Sequence, residues 1–175
     1  VGEDGVPHHG VFDMAAFGAV PGLTIAAPMD ELELRNMMYT GLQYGHPFMI
    51  RYPRGNGAGR LWRGVPFEAL PVGRGRRLRE GTDVALVTVG TVGNAAARAA
   101  ERAAEKGVSV AHYDLRFAKP LDEALLAEVG AEFRHVVTVE DGSLRGGVGE
   151  AVTAFFNARG CEVAVHSLGI GDEWV

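Results

Sequence analysis

The run Val84-Ala85-Leu86-Val87-Thr88-Val89 carries no charge and is rich in β-branched residues. A short, continuous apolar run of this kind is a buried strand, and strands buried on both faces belong to parallel sheets covered by helices. Immediately after it, Val92, Ala95, Ala96, Ala99, Ala100 and Ala103 fall on one helical face that closes at Gly107, and small residues there let a helix pack closely on a sheet. The alternation continues with a strand around 108–114, a helix after Pro120, a strand at His135–Val139, a helix marked by Val152, Phe155 and Phe156, and a last strand from Val163 to Leu168. Such a succession predicts α/β architecture.

The first third of the chain repeats the theme. Leu23-Thr24-Ile25-Ala26-Ala27 lies between Pro21-Gly22 and Pro28 and reads as a strand buried on both faces. Asp30 and Glu33 open a helix in the manner of a capping box, with Leu34, Met37, Met38 and Leu42 at helical spacing before Gly45. Phe48–Tyr52 reads as the next strand, stopped by Pro53, which completes a βαβ unit. Residues 55–72 are rich in turn formers and weak in periodicity, so they are expected to link a first domain, 1–54, to a second, 73–175. Val1-Gly2, running directly into an acidic glycine turn, reads as the stump of a severed strand.

Composition narrows the function classes. A formal charge of −5 gives no general attraction to nucleic acid or to an anionic membrane. Lone Cys161 forms no internal disulfide, and no apolar stretch approaches the roughly 20 residues that span a bilayer. A cytoplasmic protein is expected. Arg74, Arg76, Arg77 and Arg79 read as a solvated edge strand, not a nucleic-acid patch, because no aromatic residues interleave them. The glycine-rich run Gly142–Gly149 reads as a tight strand-to-helix turn.

In open parallel sheets, ligands bind beyond the carboxyl ends of the strands. Two polar loops occupy such positions: Gly2-Glu3-Asp4-Gly5-Val6-Pro7-His8-His9-Gly10 and Pro53-Arg54-Gly55-Asn56-Gly57. With their strands parallel, Asp4, His8 and Arg54 converge on one small anionic ligand. Arg54 suits a phosphate, since its planar fork donates two parallel charge-assisted bonds. An imidazole titrates near neutral pH and serves a developing alkoxide, but spacing does not separate His8 from His9. Asp13 is expected to cap the short Met14–Phe17 segment.

Asp4-Gly5-x-x-His8-His9-Gly10-x-Phe12-Asp13, the helix entry Pro28-Met29-Asp30-Glu31-x-Glu33, and Arg51-Tyr52-Pro53-Arg54-Gly55-Asn56-Gly57 resemble the deoxyxylulose-phosphate synthases over the whole chain. These belong to the transketolase-like, thiamine-diphosphate-dependent superfamily. One position departs from that pattern: Pro7 stands where the family shows Thr, which removes a hydroxyl and restricts Val6.

The resemblance implies part of a parallel-sheet pyrimidine-binding domain followed by a transketolase C-terminal α/β domain lacking its last segment. It implies condensation of pyruvate with D-glyceraldehyde 3-phosphate and loss of CO2, the first step of non-mevalonate isoprenoid biosynthesis, by a homodimer. By the same resemblance, His8 assists proton transfer, while Asp4 and Arg54 hold the acceptor. The thiamine diphosphate and Mg2+ motif and the glutamate that activates the aminopyrimidine are expected in the N-terminal remainder of the enzyme, so this fragment alone is expected to be inactive and to carry no cofactor or metal ligand. Asn36, at a tempting distance from Asp4-Gly5, falls inside a helix and is rejected as one. The alternatives are a transketolase or the β subunit of a 2-oxo-acid dehydrogenase E1 component and, in another class, a non-catalytic assembly module.

Overall fold

The computed structural model describes residues 9–174. A short 3-10 turn, Gly10–Phe12, leads into α1 (Asp13–Gly18), β1 (Thr24–Ala26), α2 (Glu31–Tyr44) and β2 (Phe48–Ile50). After the 51–75 segment come β3 (Arg76–Arg79), β4 (Val84–Val89), α3 (Val92–Ala104), β5 (Val110–Asp114), β6 (Phe117–Lys119), α4 (Glu123–Glu132), β7 (His135–Ser143), α5 (Val148–Ala158) and β8 (Ala164–Ile170). No helix among the described residues is long and apolar enough to cross a membrane.

The expected α/β architecture is present, in two sheets. The larger has the order β3-β5-β4-β7-β8, parallel except for β3, which runs antiparallel along β5 at the edge. The smaller has the order β2-β1-β6. Here β1 and β2 form the expected parallel pair, Thr24 opposite Phe48, but β6 from the second half of the chain adds antiparallel to β1. β2 ends at Ile50, although the amide of Arg51 still donates to Ala26 O at 2.8 Å.

Alternate residues of β4 and β5 face opposite sides of the sheet, as a pleated strand requires. Ala85, Val87, Val89, Ala111 and Tyr113 join α4 and α5 in the main core, which also receives Met14, Ile25 and Ala27 from the first region. Leu86 and Val110 meet Ala96 and Ala100 of α3 on the other face. The alanine stripe of α3 is wider than the surface that covers it: Ala95 and Ala99 are exposed beside Val137, Val139 and Leu168, along an apolar groove of about 450 Å³.

α2 forms as expected, with the Asp30 side chain accepting from the Glu33 amide at 2.9 Å and Gly45 at φ +72° closing the helix. Its buried face differs from the one its apolar spacing predicts. Met37 is buried, but Met38 and Leu42 are 55% and 87% exposed, and Glu33, Asn36 and Thr40 point inward. The 55–72 segment explains this. It forms no strand or helix, so its buried amides need side-chain acceptors: Thr40 Oγ1 accepts from Leu70 N at 2.8 Å and Asn36 Oδ1 from Glu68 N at 3.4 Å. Arg35 holds the same segment, donating to the carbonyls of Trp62, Val65 and Pro66 at 2.7–2.8 Å.

Three of the four arginines near β3 also differ from the solvated edge expected. β3 is an edge strand, but Arg76 bonds Asp114 and Glu33, Arg77 bonds Glu80 and Glu132, and Arg74 bonds Asp122.

Candidate functional site

Beyond the carboxyl ends of β1, β2 and β4 lies a cleft of about 580 Å³. Its walls are Pro28–Glu31 and Leu34 after β1, the Tyr52–Ala58 loop after β2, and Thr91, Asn94 and Arg98 at the start of α3. Local chemistry fixes each wall. Asn94 Nδ2 donates to Met29 O at 2.8 Å and to Thr91 O at 3.1 Å, which ties α3 to the segment after β1. A Cβ on Gly93 would stand 3.1 Å from both Met29 Sδ and Thr88 Oγ1, so the absence of a side chain permits this approach. Across the cleft, Glu31 accepts from the amides of Gly59 and Arg60 at 2.8 and 3.3 Å. A Cβ on Gly57 would fall 2.0 Å from Glu31 Oε1, so the loop lies against that carboxylate only with glycine there.

The sequence-predicted site residues divide accordingly. Arg54 lines the cleft, while Asp4 and His8 lie outside the described residues. Of the histidine pair, His9 precedes the 3-10 turn, its Nδ1 buried without a hydrogen-bond partner among the described residues. Asp13 stands in the first turn of α1, where its Oδ1 accepts from the Met14 amide at 2.8 Å and so satisfies one donor of the expected segment, while its Oδ2 accepts from Arg51 Nε at 3.2 Å. The same guanidinium donates to Asp141 Oδ2 at 3.2 Å and to the Asp141 carbonyl. Arg51 therefore fastens the end of β2 to α1 and β7 together. The glycine-rich turn 142–149 is the predicted strand-to-helix turn, and its helix N-terminus has an internal anion: Glu140 accepts from Val148 N at 2.9 Å and Gly149 N at 2.8 Å. Burial raises the Glu140 pKa, opposed by those two amides.

Next to the cleft, a buried ionic cluster joins the two halves of the chain. Glu33 of α2 bonds Arg116 at 2.7 Å and Arg76 at 3.1 Å, and Arg76 also meets Asp114 at 3.0 Å. Arg116 takes up φ +60° in the turn between β5 and β6, where its amide donates to Asp114 Oδ1 at 3.0 Å. Burial, reinforced by the neighbouring Glu33 carboxylate, pushes the Asp114 carboxyl up to about 7 against the pull of the two guanidiniums. Two residues earlier on the same face of β5, His112 bonds Thr88 Oγ1 at 2.9 Å, and burial followed by Arg76 lowers its pKa to about 4.

Sequence reasoning missed Asn94, Arg98 and Glu33 as builders of this region. Asn94 and Arg98 sit one turn apart on the outer side of an alanine stripe, the usual place for solvated residues. The available signal was position: residues in the first turns of a helix that follows a parallel strand stand at the ligand-binding edge of the sheet.

Residues 73–175 match the family model "Transketolase, C-terminal domain", and residues 1–59 match "Transketolase, pyrimidine binding domain". The whole chain is 54% identical to the 1-deoxy-D-xylulose-5-phosphate synthase of Bacteroides fragilis and 52% identical to that of Bacteroides thetaiotaomicron. Identity to the Carboxydothermus hydrogenoformans synthase is 43% over 99% of the chain. The chain spans 27–28% of the length of these relatives. Among solved structures, a split-gene transketolase described as an inactive β4 tetramer superposes with a TM-score of 0.80 at 27% identity, covering 93% of this chain and 53% of that one. The chain belongs to the transketolase family, its two regions matching the pyrimidine-binding and C-terminal domains of those enzymes.

Proposed function

We propose that this chain forms the acceptor-binding side of a thiamine-diphosphate-dependent 1-deoxy-D-xylulose-5-phosphate synthase, which joins pyruvate to D-glyceraldehyde 3-phosphate with release of CO2. The observation that carries this reading is chain-long identity of up to 54% to synthases of that name, combined with Arg54 on the wall of a cleft beyond the parallel strands. The split-gene transketolase shares the fold at 27% identity, which favours the synthase over a ketol-transferring relative.

Among the described residues, no three His, Cys, Asp or Glu side chains stand close enough to hold a metal ion. We assign the Mg2+-bound diphosphate to the N-terminal remainder of the enzyme. When bound, the thiazolium supplies the electron sink for decarboxylation of pyruvate. This chain's residues act on the acceptor. Arg54 grips its phosphate through paired charge-assisted bonds, which orients the aldehyde carbon toward the incoming nucleophile. His8, beside the aldehyde, donates a proton to the oxygen as the new carbon–carbon bond turns it into an alkoxide, and Asp4 holds the acceptor's hydroxyl side. We assign 1–54 and 73–175 to the two domains, joined by 55–72, in a cytoplasmic homodimer.

The test is an assay of the intact enzyme with pyruvate and D-glyceraldehyde 3-phosphate. Deoxyxylulose 5-phosphate and CO2 should form in equal amounts, and Arg54→Ala should raise the acceptor KM by roughly ten- to a hundredfold. Ketol transfer between sugar phosphates without CO2 release would overturn the proposal.

A further inference from the structure

We propose that Arg51 is a positioning residue for the acceptor: by holding the end of β2 against α1 and β7 at once, it sets where the Tyr52–Ala58 loop stands relative to the opposite wall of the cleft. This rests on the reading of the cleft as the acceptor site. Arg51 immediately precedes that loop, and its side-chain bonds run to Asp13 and Asp141, neither of which lines the cleft. It therefore acts through the loop and not on the ligand. The main chain leaves β2 at this residue, where the Arg51 amide makes its 2.8 Å bond to Ala26 O. From Tyr52 to Gly64 every residue is exposed, so the loop takes its place from its anchors and not from packing of its own. At the far end the anchor is Glu31, through the amides of Gly59 and Arg60. At the near end it is Arg51.

The near anchor engages all three nitrogens of a guanidinium whose side chain is 10% exposed. Nε donates to Asp13 Oδ2 and Nη1 to Asp141 Oδ2, both at 3.2 Å, and Nη2 donates to the Asp141 carbonyl. A planar fork bonded in three directions fixes orientation as well as distance, which a single ammonium does not reproduce. The place of Asp141 in the sheet gives these bonds their reach. Its neighbour Glu140 pairs with Val89 of β4, and β4 leads through Gly90 to Thr91 and Asn94 on the opposite wall of the cleft. Arg51 thus ties the loop that carries Arg54 to the strand beside the one that delivers the facing wall. Without the fork the loop shifts against that wall, and a displacement of about 1 Å is enough to cost a binding group much of its effect.

The experiment measures, in the intact enzyme, the ratio of kcat/KM for D-glyceraldehyde 3-phosphate to kcat/KM for D-glyceraldehyde. A loss of folded enzyme lowers both values alike and cancels in the ratio, so a merely structural role leaves it unmoved. Arg51→Lys keeps a positive charge between Asp13 and Asp141 but not the fork, and it should lower the ratio about tenfold with the pyruvate KM unchanged. Added to Arg54→Ala, it should lower the ratio little further, because no phosphate grip is left to position. Should the lysine variant fail to fold, Asp13→Asn, which leaves Arg51 its bonds to Asp141, reads the same anchor with an expected fall of about two- to fivefold. If the folded variants keep the wild-type ratio while Arg54→Ala lowers it, Arg51 only stabilises the fold and the inference falls, with the proposed function intact. If Arg54→Ala also leaves the ratio unchanged, the cleft does not bind the phosphate and both roles fall. Absence of deoxyxylulose 5-phosphate with the wild-type enzyme removes the functional reading itself.

Discussion

Residues 73–174 enclose a five-stranded sheet whose interior includes Val87, Val89, Tyr113, Leu126, Val136 and Phe156, each 2% exposed or less. The small core beside α2 consists of Ala26, Met37 and Leu70 around Phe117, a residue of the other region. Further contributions of the first region, Met14, Ile25 and Ala27, go to the main core. One region thus buries its own apolar surface, while the other completes itself by borrowing a strand, by side-chain bonds to its linker and by the ionic cluster at Glu33. Few buried apolar contacts mean low local stability, and the cleft is built where the dependent region meets the self-sufficient one.

Four substitutions sharpen or break that contrast. Phe117→Ala should have the largest effect, destabilising the protein by about 3–5 kcal/mol, because it empties the small core and weakens the one strand that β1 receives from elsewhere. Chemical denaturation would measure it, and a loss under 1 kcal/mol would show that the first region stands without β6.

The next effect concerns pH. Asp114, with its folded pKa raised to about 7, holds a proton that the unfolded chain releases near 4, so its contribution to stability falls as pH rises from about 4 to 7. His112, with its folded pKa lowered to about 4, is neutral while the unfolded imidazole is protonated below about 6.5, so its contribution rises over about pH 4 to 6.5. The two slopes oppose. Each amounts to roughly 1.4 kcal/mol per pH unit at most. Relative to the wild type, Asp114→Asn should gain stability as pH rises through this window, and His112→Asn should lose it, in unfolding curves taken at pH 4.5, 5.5 and 6.5. Parallel curves for all three proteins would refute the assignment of a buried, neutral pair beside Arg76.

Leu42→Gln should change stability by less than about 0.5 kcal/mol in the same assay, because Leu42 is 87% exposed despite lying on the apolar stripe of α2. A large loss would return that stripe to the interior.

Legibility in the sequence followed the same division. β4, α3, β5, α4, β7, α5 and β8 were all readable, because a buried strand beside an apolar helix face leaves a periodic record in both partners. The existence of α2 and its caps was readable as well, since capping is local. Its inward face was not: Glu33, Asn36 and Thr40 serve partners that lie 30 to 83 residues away and carry no periodicity of their own. For the cleft, Arg54 was found from its motif and its place after a strand. Arg98 was not, because nothing local distinguishes an arginine at a cleft wall from one in solvent.

The sequence by itself determined the succession of elements, the turns at Gly45 and Gly107, and the transketolase-like loops at Asp4–Gly10 and Arg51–Gly57. Each is written in residues close together in the chain. The tertiary structure decided that β6 would complete the first sheet, that Arg51 would join Asp13 to Asp141, and that Arg54 and Arg98 would share a cleft. The physical reason is common to all three: strand pairing, ion pairing and cleft formation depend on which surfaces meet, and a chain records its own surface chemistry but not the identity of the distant surface that will cover it.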